Sequence, residues 1–554
     1  MSAYLPNLRQ NESAGTPRTP NASRGRMRAG TREAFGVRRI PPLWICALLS
    51  LLVPNVCLGA ESSPNPAPRA THILVIIADQ LRADCLGAYG NSQVKTPHLD
   101  ALAAESVRFN NCFCAFPVCT PSRYSLLSGL PVHEHRGWNN HCTLPPGTAT
   151  FPALLRQAGY KTKAVGKMHF TPTYADFGLS ELELAEQNGP GRWDDDYHRY
   201  LRGLGLVDAG DLEDQEQEFR KSARPEYWKT FGAMPSNLDE RHHSTTWIGD
   251  RAVESLEKWE RGQPSLLMVG FIKPHHPFDP PSSWAGKYDP GKMNLLPGWT
   301  SEPLPQDLKQ GRGYFDYRDL NEAAARRCTA FYYATISQID FQIGRIISVL
   351  KKKGLYDSTL IVMTADHGEY LGFHHLLLKG NHMYDPLARV PLLVRPPGKQ
   401  PKGSVSDALV SNTDLAPTIL RAAGLAPSTG MKGENLLAPG AGRDIVFCEA
   451  GDGCIMARTR NHMLLWWPAV ERRLFFDLTS DPLEMTNRIQ DAQCKQEIAR
   501  LTAAIEAWRP GPVTTPYLDE NAPCITQPNV PSKDQRPDQK QWYRKQMQKW
   551  QAGK

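Results

Sequence analysis

The chain has 554 residues, of which 41% are hydrophobic and 22% are charged. This composition excludes a disordered or fibrous protein and leaves ample length for a large core. The formal charge is +7, but residues 1–60 hold eight Arg and two Glu, so the remainder is close to neutral. A nucleic-acid-binding protein would carry a broader positive charge, so we expect no nucleic-acid partner.

Residues 1–60 are typical of a secretory signal. An Arg-rich lead precedes an apolar run over residues 43–53, and the small residues Gly59 and Ala60 follow. The run is shorter than the roughly 20 residues of a membrane span. We therefore expect export to the periplasm or the exterior after signal cleavage, and no stable membrane insertion. An uncleaved anchor or a lipid attached at Cys57 is the alternative.

Export also permits disulfide bonds among the cysteines of the mature chain. Candidate pairs are Cys112 or Cys114 with Cys142, and Cys448 with Cys454. The spacing of the cysteines does not establish their connectivity.

Continuous apolar runs in the next part of the chain predict strands that are buried on both faces. Helical patterns alternate with these runs. The alternation indicates an α/β domain over residues 70–425, with a mostly parallel central sheet sandwiched by helices. The predicted strands cover 72–78, 163–165, 266–272, 360–364 and 390–394, and the predicted helices cover 97–107, 151–157, 246–259, 321–353 and 414–423.

A second, smaller region follows a linker rich in Gly and Pro over residues 424–442. Short strand patterns and a final helical pattern predict a C-terminal α+β subdomain with an antiparallel sheet over residues 443–510. The tail, residues 511–554, is rich in Gln, Lys and Pro. We expect a solvated or self-docking arm there rather than a membrane helix.

Polar residues directly follow four of the predicted strands. Ligands of open parallel sheets bind beyond the carboxyl ends of the strands, so these residues are expected to meet in one site. Each group alone is as well explained by a cap or a turn, but four at equivalent positions favour a common site. They are Asp79 with Gln80, Lys167 with His169, Lys273 with His275 and His276, and Asp366 with His367.

Asp79, Gln80, Asp366 and His367 offer the ligands of one divalent cation. Their oxygen atoms favour a hard ion such as Ca²⁺ or Mg²⁺, and a single His does not require zinc. Two unrelated turns that begin with Asp are the alternative. Further donors would suit a doubly charged oxyanion that needs preorganised positive charge, namely Lys167, His169, His275 and Lys379.

Residues 116–129 place a cysteine before a predicted helix. A helix over 122–130, with Pro121 at its first turn, would direct its free N–H groups towards whatever Cys119 holds. Arg123 adds a planar cation suited to oxyanions. On this local pattern alone, a buried structural cysteine is the competing interpretation.

These motifs together resemble those of the type I sulfatases, within the alkaline phosphatase superfamily. The family signature is Cys-x-Pro-Ser-Arg, and the resemblance covers residues 70–510 and implies an alkaline phosphatase-like fold. The matching segments are Cys119-Thr120-Pro121-Ser122-Arg123, Leu127-Ser128-Gly129, Ala78-Asp79-Gln80, Gly166-Lys167-Met168-His169, Lys273-Pro274-His275, Ala365-Asp366-His367-Gly368 and Lys379.

The resemblance implies that a separate formylglycine-generating maturation enzyme converts Cys119 to formylglycine, whose hydrate is the nucleophile. It places Asp79, Gln80, Asp366 and His367 at the metal-ligand positions, usually for Ca²⁺. Many members have a second Asp where this chain has Gln80. We therefore expect a tuned metal affinity rather than loss of the metal.

The implied reaction is the covalent hydrolysis of a sulfate ester. One hydroxyl of the hydrate attacks sulfur, and the second hydroxyl later expels the sulfate. The residues implied are Asp366 as the first base, Arg123 as a partner of the hydrate, Lys167 and Lys379 as partners of the sulfate oxygens, His275 as the acid for the leaving alcohol, with His276 as its alternative, and His169 as the second base.

Two other activities remain open at this stage. A phosphonate monoester or phosphodiester hydrolase of the same superfamily is the nearer one, and the element containing Lys167 and His169 favours sulfate over it. A non-catalytic binder of sulfated polyanions, with an intact Cys119 thiol, is more distant.

The expected substrate is an extracellular sulfated saccharide, with choline sulfate or small aryl sulfates as alternatives. The insert, residues 177–244, is expected to shape the pocket because long loops at strand ends carry specificity. Its Trp193 and Tyr197 either stack on a sugar ring or pack within the loop.

Overall fold

The computed structural model describes residues 69–308, 315–399, 402–511 and 537–553. All of them belong to one unit, Pro66–Lys554. The predicted signal, residues 1–60, lies outside the described residues. None of the helices in the described ranges is long and apolar enough to cross a membrane.

The central sheet contains eight strands, numbered here in chain order. They are β1 His72–Asp79, β2 Val107–Phe113, β3 Lys161–Gly166, β4 Glu181–Leu184, β5 Ser265–Pro274, β6 Thr359–Ala365, β7 Arg389–Arg395 and β8 Ser404–Ser411. Their order is β4-β3-β5-β1-β6-β7-β2-β8, and of these eight only β7 runs against its neighbours. Every residue of β1, β5 and β6 is buried, which explains their continuous apolar sequences. The expected mostly parallel sheet is confirmed.

Helices flank this sheet. The longest begins after Asn321, whose side chain accepts a hydrogen bond from the N–H of Ala324 at 3.0 Å. In the described ranges the α-helices are α1 Pro97–Ala103, α2 Cys119–Ser128, α3 Val132–His135, α4 Phe151–Gln157, α5 Asp196–Gly203, α6 Ala209–Gln215, α7 Gln217–Arg220, α8 Pro225–Lys229, α9 Ser244–Glu257, α10 Ser282–Ala285, α11 Glu322–Lys352, α12 Asp385–Ala388, α13 Leu415–Ala422, α14 Lys495–Trp508 and α15 Pro537–Gln551.

Three strands of the sheet escaped the sequence analysis. The predicted helix over 97–107 is too long, because α1 ends at Ala103 and β2 begins at Val107. β4 and β8 lie at the two edges of the sheet, and their partly exposed residues dilute the apolar pattern.

The C-terminal region forms the expected small antiparallel sheet. Its strands are β9 Val446–Glu449, β10 Ile455–Arg458, β11 His462–Trp467 and β12 Arg472–Asp477, in the order β12-β11-β10-β9. Alternate residues of these strands face opposite sides. Leu465 and Phe476 join the main core, whereas Leu464 and Phe475 pack with Leu501 of α14.

The suggested disulfide pairs are wrong. Cys112, Cys114, Cys448 and Cys454 are free thiols, whereas Cys142 is disulfide-bonded. Cys112 and Cys114 belong to the main core, and Cys142 lies in a separate apolar cluster beside α3. The fold therefore separates Cys142 from the two cysteines suggested as its partners.

Two glycines allow β3 and β5 to meet closely at the end where the polar residues lie. Gly166 has a φ of +86°, and a Cβ atom there would lie 2.1 Å from the carbonyl oxygen of Gly270. That oxygen accepts the N–H of Lys167 at 2.8 Å. The close approach therefore sets the position of Lys167.

We expect Gly166→Ala to lower the melting temperature of the protein strongly. Positive φ and the steric clash together cost roughly 3 kcal/mol of unfolding free energy. Gly159→Ala is the matched control, because Gly159 has a φ of +90° but no atom within 4 Å of its Cβ position. Calorimetric melting of both variants measures the difference, and equal shifts would contradict the steric explanation.

His135 holds α2 and α3 together as a neutral ring. Its Nδ1 accepts the N–H of Gly137 at 3.1 Å, and its Nε2 lies 2.9 Å from Ser125 Oγ. Burial lowers the pKa of His135 from 6.5 to about 4.

The protein should lose stability through His135 as the pH falls from 6.5 towards 4. The unfolded chain binds the proton first in this range, which costs about 2 kcal/mol at pH 5. His135→Gln should therefore have a shallower loss of melting temperature between pH 7 and pH 5. His141→Gln, which changes an exposed ring, should follow the original protein, and parallel curves for all three would exclude this explanation.

Candidate active site

Four adjacent strands deliver the predicted site residues to one edge of the sheet. β3, β5, β1 and β6 are neighbours in that order, and their carboxyl ends carry the groups identified from sequence. Nine of the ten candidate residues are buried, and Lys379 is half-buried. All ten lie in one cluster, consisting of Asp79, Gln80, Cys119, Arg123, Lys167, His169, His275, Asp366, His367 and Lys379.

Cys119 is the first residue of α2, three residues earlier than the predicted helix start. The N–H of Ser122 donates to the carbonyl of Val118 at 3.1 Å and closes the first turn. Pro121 has no backbone N–H, but the first turn of a helix does not require one. The Ser122 hydroxyl donates to the carbonyl of Asp366, and Asn412 Nδ2 lies 2.8 Å from that hydroxyl. These contacts fix the start of α2 against the end of β6.

The sulfur of Cys119 lies at the centre of the cluster. It is 3.3 Å from His367 Nε2, 3.4 Å from Lys379 Nζ and 3.6 Å from Asp79 Oδ1. Burial raises the pKa of the thiol, but the charges of Lys379, Lys167 and His367 outweigh it and hold the pKa well below its ordinary value. The surroundings therefore favour negative charge at this position.

Arg123 connects the two carboxylates of the cluster. Its Nε lies 2.9 Å from Asp366 Oδ2, and its second terminal nitrogen lies 3.1 Å from Asp79 Oδ2. Lys167 Nζ is a further 2.8 Å contact of Asp79. Burial and then repulsion from Asp79 raise the pKa of Asp366. The two carboxylates therefore repel each other in a site that is buried from solvent.

A bound cation would relieve the repulsion between the two carboxylates. One ligand atom from each of Asp79, Asp366, His367 and Cys119 lies within 4.8 Å of the others, and all four residues are buried. Two carboxylates and an imidazole are suitable ligands for a divalent ion. Gln80 lies beside them, with its Oε1 accepting from Lys379 at 3.1 Å and its amide nitrogen donating to Glu369.

Of the two adjacent histidines, His275 faces the cluster. Its Nδ1 lies 2.7 Å from the carbonyl oxygen of His276, which directs Nε2 to within 2.8 Å of Lys379 Nζ. Burial, followed by the charges of Lys379 and Lys167, lowers its pKa to about 4. His276 instead contacts Asp214 and the carbonyl of Phe231, each at 2.7 Å, and so supports the loop.

His169 lies beside Cys119 at the outer side of the cluster. Its backbone φ is +56°, and its backbone N–H donates to Glu186 Oε1 at 2.9 Å. Burial lowers the pKa of the ring, and Nδ1 has no hydrogen-bond partner among the described residues. A neutral imidazole with an open nitrogen is able to accept a proton.

Several supporting residues were not found from sequence. Gln187 Oε1 accepts from Lys167 Nζ at 3.2 Å, and its Nε2 donates at 2.8 Å to the same His276 carbonyl that holds His275. Gln187 follows β4, the edge strand that the sequence analysis missed. Glu369, the partner of Gln80, directly follows the Asp366-His367-Gly368 motif, which was its only sequence signal.

A cavity of about 560 Å³ adjoins the cluster through His169. Its wall includes Trp193 of the insert, whereas Tyr197 is fully buried and donates to the carbonyl of His242 at 3.0 Å. Tyr197 therefore belongs to the core of the insert, and of these two residues Trp193 is the one that borders the cavity, together with Phe170. We call this space the outer cavity.

Comparison with known proteins identifies the family. The family model described as Sulfatase matches residues 71–425. The chain is 28% identical over 469 residues to the arylsulfatase of Clostridium perfringens, covering 77% of this chain and 92% of that protein. It is 27% identical over 450 residues to the N-acetylglucosamine-6-O-sulfatase of Bacteroides thetaiotaomicron, with coverages of 70% and 74%.

The fold is also shared with a solved structure. The phosphonate monoester hydrolase of Agrobacterium radiobacter has a TM-score of 0.67 and 23% identity, covering 79% of this chain and 95% of that one. The range matched by the family model contains the whole central sheet and all ten residues of the cluster. The chain belongs to the sulfatase family of the alkaline phosphatase superfamily and is a sulfuric ester hydrolase.

Proposed function

We propose that the protein removes sulfate from an extracellular sulfated saccharide through a formylglycine formed from Cys119. The observation that carries this proposal is the position of the Cys119 sulfur, at the start of α2 and within 3.4 Å of both His367 Nε2 and Lys379 Nζ. A formylglycine-generating enzyme is the required maturation partner. The signal pattern of residues 1–60 supports export to the periplasm or the exterior.

A divalent cation completes this proposed site, with Ca²⁺ favoured and Mg²⁺ as the alternative. Asp79, Gln80, Asp366 and His367 would hold it. Such an ion polarises sulfate oxygens and lowers the pKa of a neighbouring hydroxyl. Because Gln80 is neutral, this set has one negative charge fewer than a set with Asp at that position. The hydrogen bond from its amide to Glu369 keeps the side chain in place.

The remaining side chains would carry the first step. Asp366, whose pKa is raised by burial and by Asp79, takes the proton of the attacking hydroxyl. A bond forms from that oxygen to sulfur while the bond from sulfur to the ester oxygen breaks. Lys167 and Lys379 neutralise the sulfate oxygens. His275 gives a proton to the departing alcohol in its protonated form, which the negative charge of the bound sulfate ester would favour over the neutral ring of the free protein.

His169 would carry the second step. Its open Nδ1 lies in a ring beside Cys119. The ring accepts the proton of the second hydroxyl, the carbonyl of formylglycine re-forms, and the bond from carbon to the sulfated oxygen breaks. Sulfate leaves, and the aldehyde is ready to take up water again.

Saccharides are favoured as substrates by the polar outer cavity and by the N-acetylglucosamine-6-O-sulfatase among the relatives. A phosphonate monoester or phosphodiester hydrolase is the second candidate, because a phosphonate monoester hydrolase is among the structural neighbours. The Gly166-Lys167-Met168-His169 element, which matches the sulfatase motifs, favours sulfate.

Mass spectrometry of the peptide containing Cys119, from exported protein made with a formylglycine-generating enzyme, should detect an aldehyde in place of the thiol. Cys328 is the internal control, because it lacks the Pro-Ser-Arg that follows Cys119 and should remain a thiol. The mature protein should hydrolyse aryl sulfates faster than aryl phosphonates. Cys119→Ala should lower this activity by about a thousandfold or more.

An unmodified Cys119 in active protein would remove the proposed nucleophile. Binding of sulfated ligands without cleavage would favour the polyanion-binding alternative. Dominant turnover of the phosphonate would instead identify the second candidate.

Removal of divalent ions by a chelator should abolish the sulfatase activity and lower the melting temperature, and added Ca²⁺ should restore both. A ligand that binds only the folded state stabilises it by mass action. Asp79→Asn is the comparison variant, and its melting temperature should not respond to the chelator. Full activity in protein shown by elemental analysis to be free of metal would overturn the proposed cation.

A further inference from the structure

We infer that the outer cavity is a subsite for an anionic group on the sugar next to the sulfated one, with Lys540 of α15 as the residue that selects for it. This inference rests on the proposed function and assigns part of the specificity to the C-terminal tail.

The outer cavity lies where a bound saccharide would extend. His169 borders it and lies beside Cys119, and Asn140 on its wall accepts the N–H of Thr120 at 3.1 Å. A substrate with its sulfate at Cys119 therefore has the cavity as its neighbour. The volume of about 560 Å³ is within the usual range of ligand pockets and is sufficient for a sugar unit.

The lining has the chemistry of a sugar site. Amide side chains supply donors and acceptors for hydroxyl groups, and Trp193 supplies an aromatic surface. The amides are those of Asn140, Asn188, Gln215 and Gln217.

Two cations give the cavity its preference for an anion. Arg220 comes from α7, and Lys540 comes from α15, more than 300 residues later in the chain. Lys540 Nζ lies 5.5 Å from the centre of the Trp193 ring, is exposed, and forms no ion pair with any described residue. Glu186 and Glu216 also border the cavity. Burial raises the pKa of both carboxyls, that of Glu186 to about 7, and Lys540 is one of the cations that oppose the rise at Glu216.

The docking of α15 holds Lys540 in this position. Tyr543 and Met547, three and seven residues after Lys540, are buried against Trp193 and Phe219 of the insert. Arg544 pairs with Glu218 at 2.6 Å, and Gln539 Nε2 donates to Asp194 Oδ1 at 3.0 Å. The described part of the tail, α15, is therefore docked, which is one of the two forms expected from sequence, and Lys540 has a fixed place at the cavity.

An exposed ammonium group beside an aromatic ring and amides suits an oxyanion attached to a sugar. Such an oxyanion is either the carboxylate of a uronic acid or a second sulfate. Both have the same chemistry at Lys540, so the experiment must separate them.

The test uses the full-length, mature enzyme and three sulfated disaccharides of the same linkage. In the first the neighbouring sugar is neutral, in the second it is a uronic acid, and in the third it carries a second sulfate. We expect a lower KM for at least one anionic disaccharide than for the neutral one. The preference is measured as the KM for the neutral disaccharide divided by the KM for the anionic one. Lys540→Gln should reduce this ratio about tenfold, as expected for the loss of one charge-assisted hydrogen bond. Lys540→Arg should keep most of the preference.

Lys545→Gln is the matched control, because Lys545 is exposed on the same helix but does not border the outer cavity. It should retain the original ratio. Melting temperatures of the variants establish that α15 remains docked. If Lys540→Gln keeps the original ratio, or if the enzyme never prefers an anionic disaccharide, the inference is wrong.

Failure of the proposed function is detected separately. Release of sulfate from an aryl sulfate, which has no neighbouring sugar, reports on the reaction alone. Calorimetric binding of the same disaccharides to Cys119→Ala reports on the subsite without turnover. Loss of the binding preference in the double variant with Lys540→Gln would support the subsite even where no sulfate is released, and an unaltered preference would exclude it.

Discussion

The burial of two carboxylates in one dry site is the constraint on which the rest of the structure depends. Asp79 is the last residue of β1, Asp366 directly follows the adjacent β6, and neither is accessible to solvent. Such charges are tolerated only when cations and hydrogen bonds compensate them. Arg123 contacts both carboxylates, and it lies on the helix that begins with Cys119. The compensation of charge therefore also sets the position of the cysteine, and a divalent cation would extend the same principle.

The sheet makes this arrangement precise because four neighbouring parallel strands, three of them wholly buried, end together. Gly166 and Gly270 let β3 approach β5, which brings Lys167 to Asp79. Gln187 then connects Lys167 with the loop that orients His275. A rigid core thus holds the groups that we propose act on the sulfate, and a layer of buried hydrogen bonds fixes their rotamers.

Towards the solvent the structure changes from a charged, buried cluster to a polar cavity. The insert supplies most of this outer wall, and α15 closes it from the far end of the chain. The reaction and the choice of substrate are consequently carried by different parts of the molecule. In the proposed function, the strand ends hold the groups that act on the sulfate ester, and the insert and α15 would contact what is attached to the sulfate.

The sequence alone predicted the α/β class, the buried strands and the ten residues of the cluster. Apolar runs and the residues that follow them are local patterns, and the Cys-x-Pro-Ser-Arg segment and the motif match supplied Cys119, Arg123 and Lys379. Tertiary structure decided which residues support them. Gln187 contacts Lys167 across two strands, Tyr197 is buried whereas Trp193 borders the cavity, and Lys540 reaches that cavity from the tail. Such contacts join residues far apart in the chain, and only the packing of the whole core and the docking of α15 bring them together.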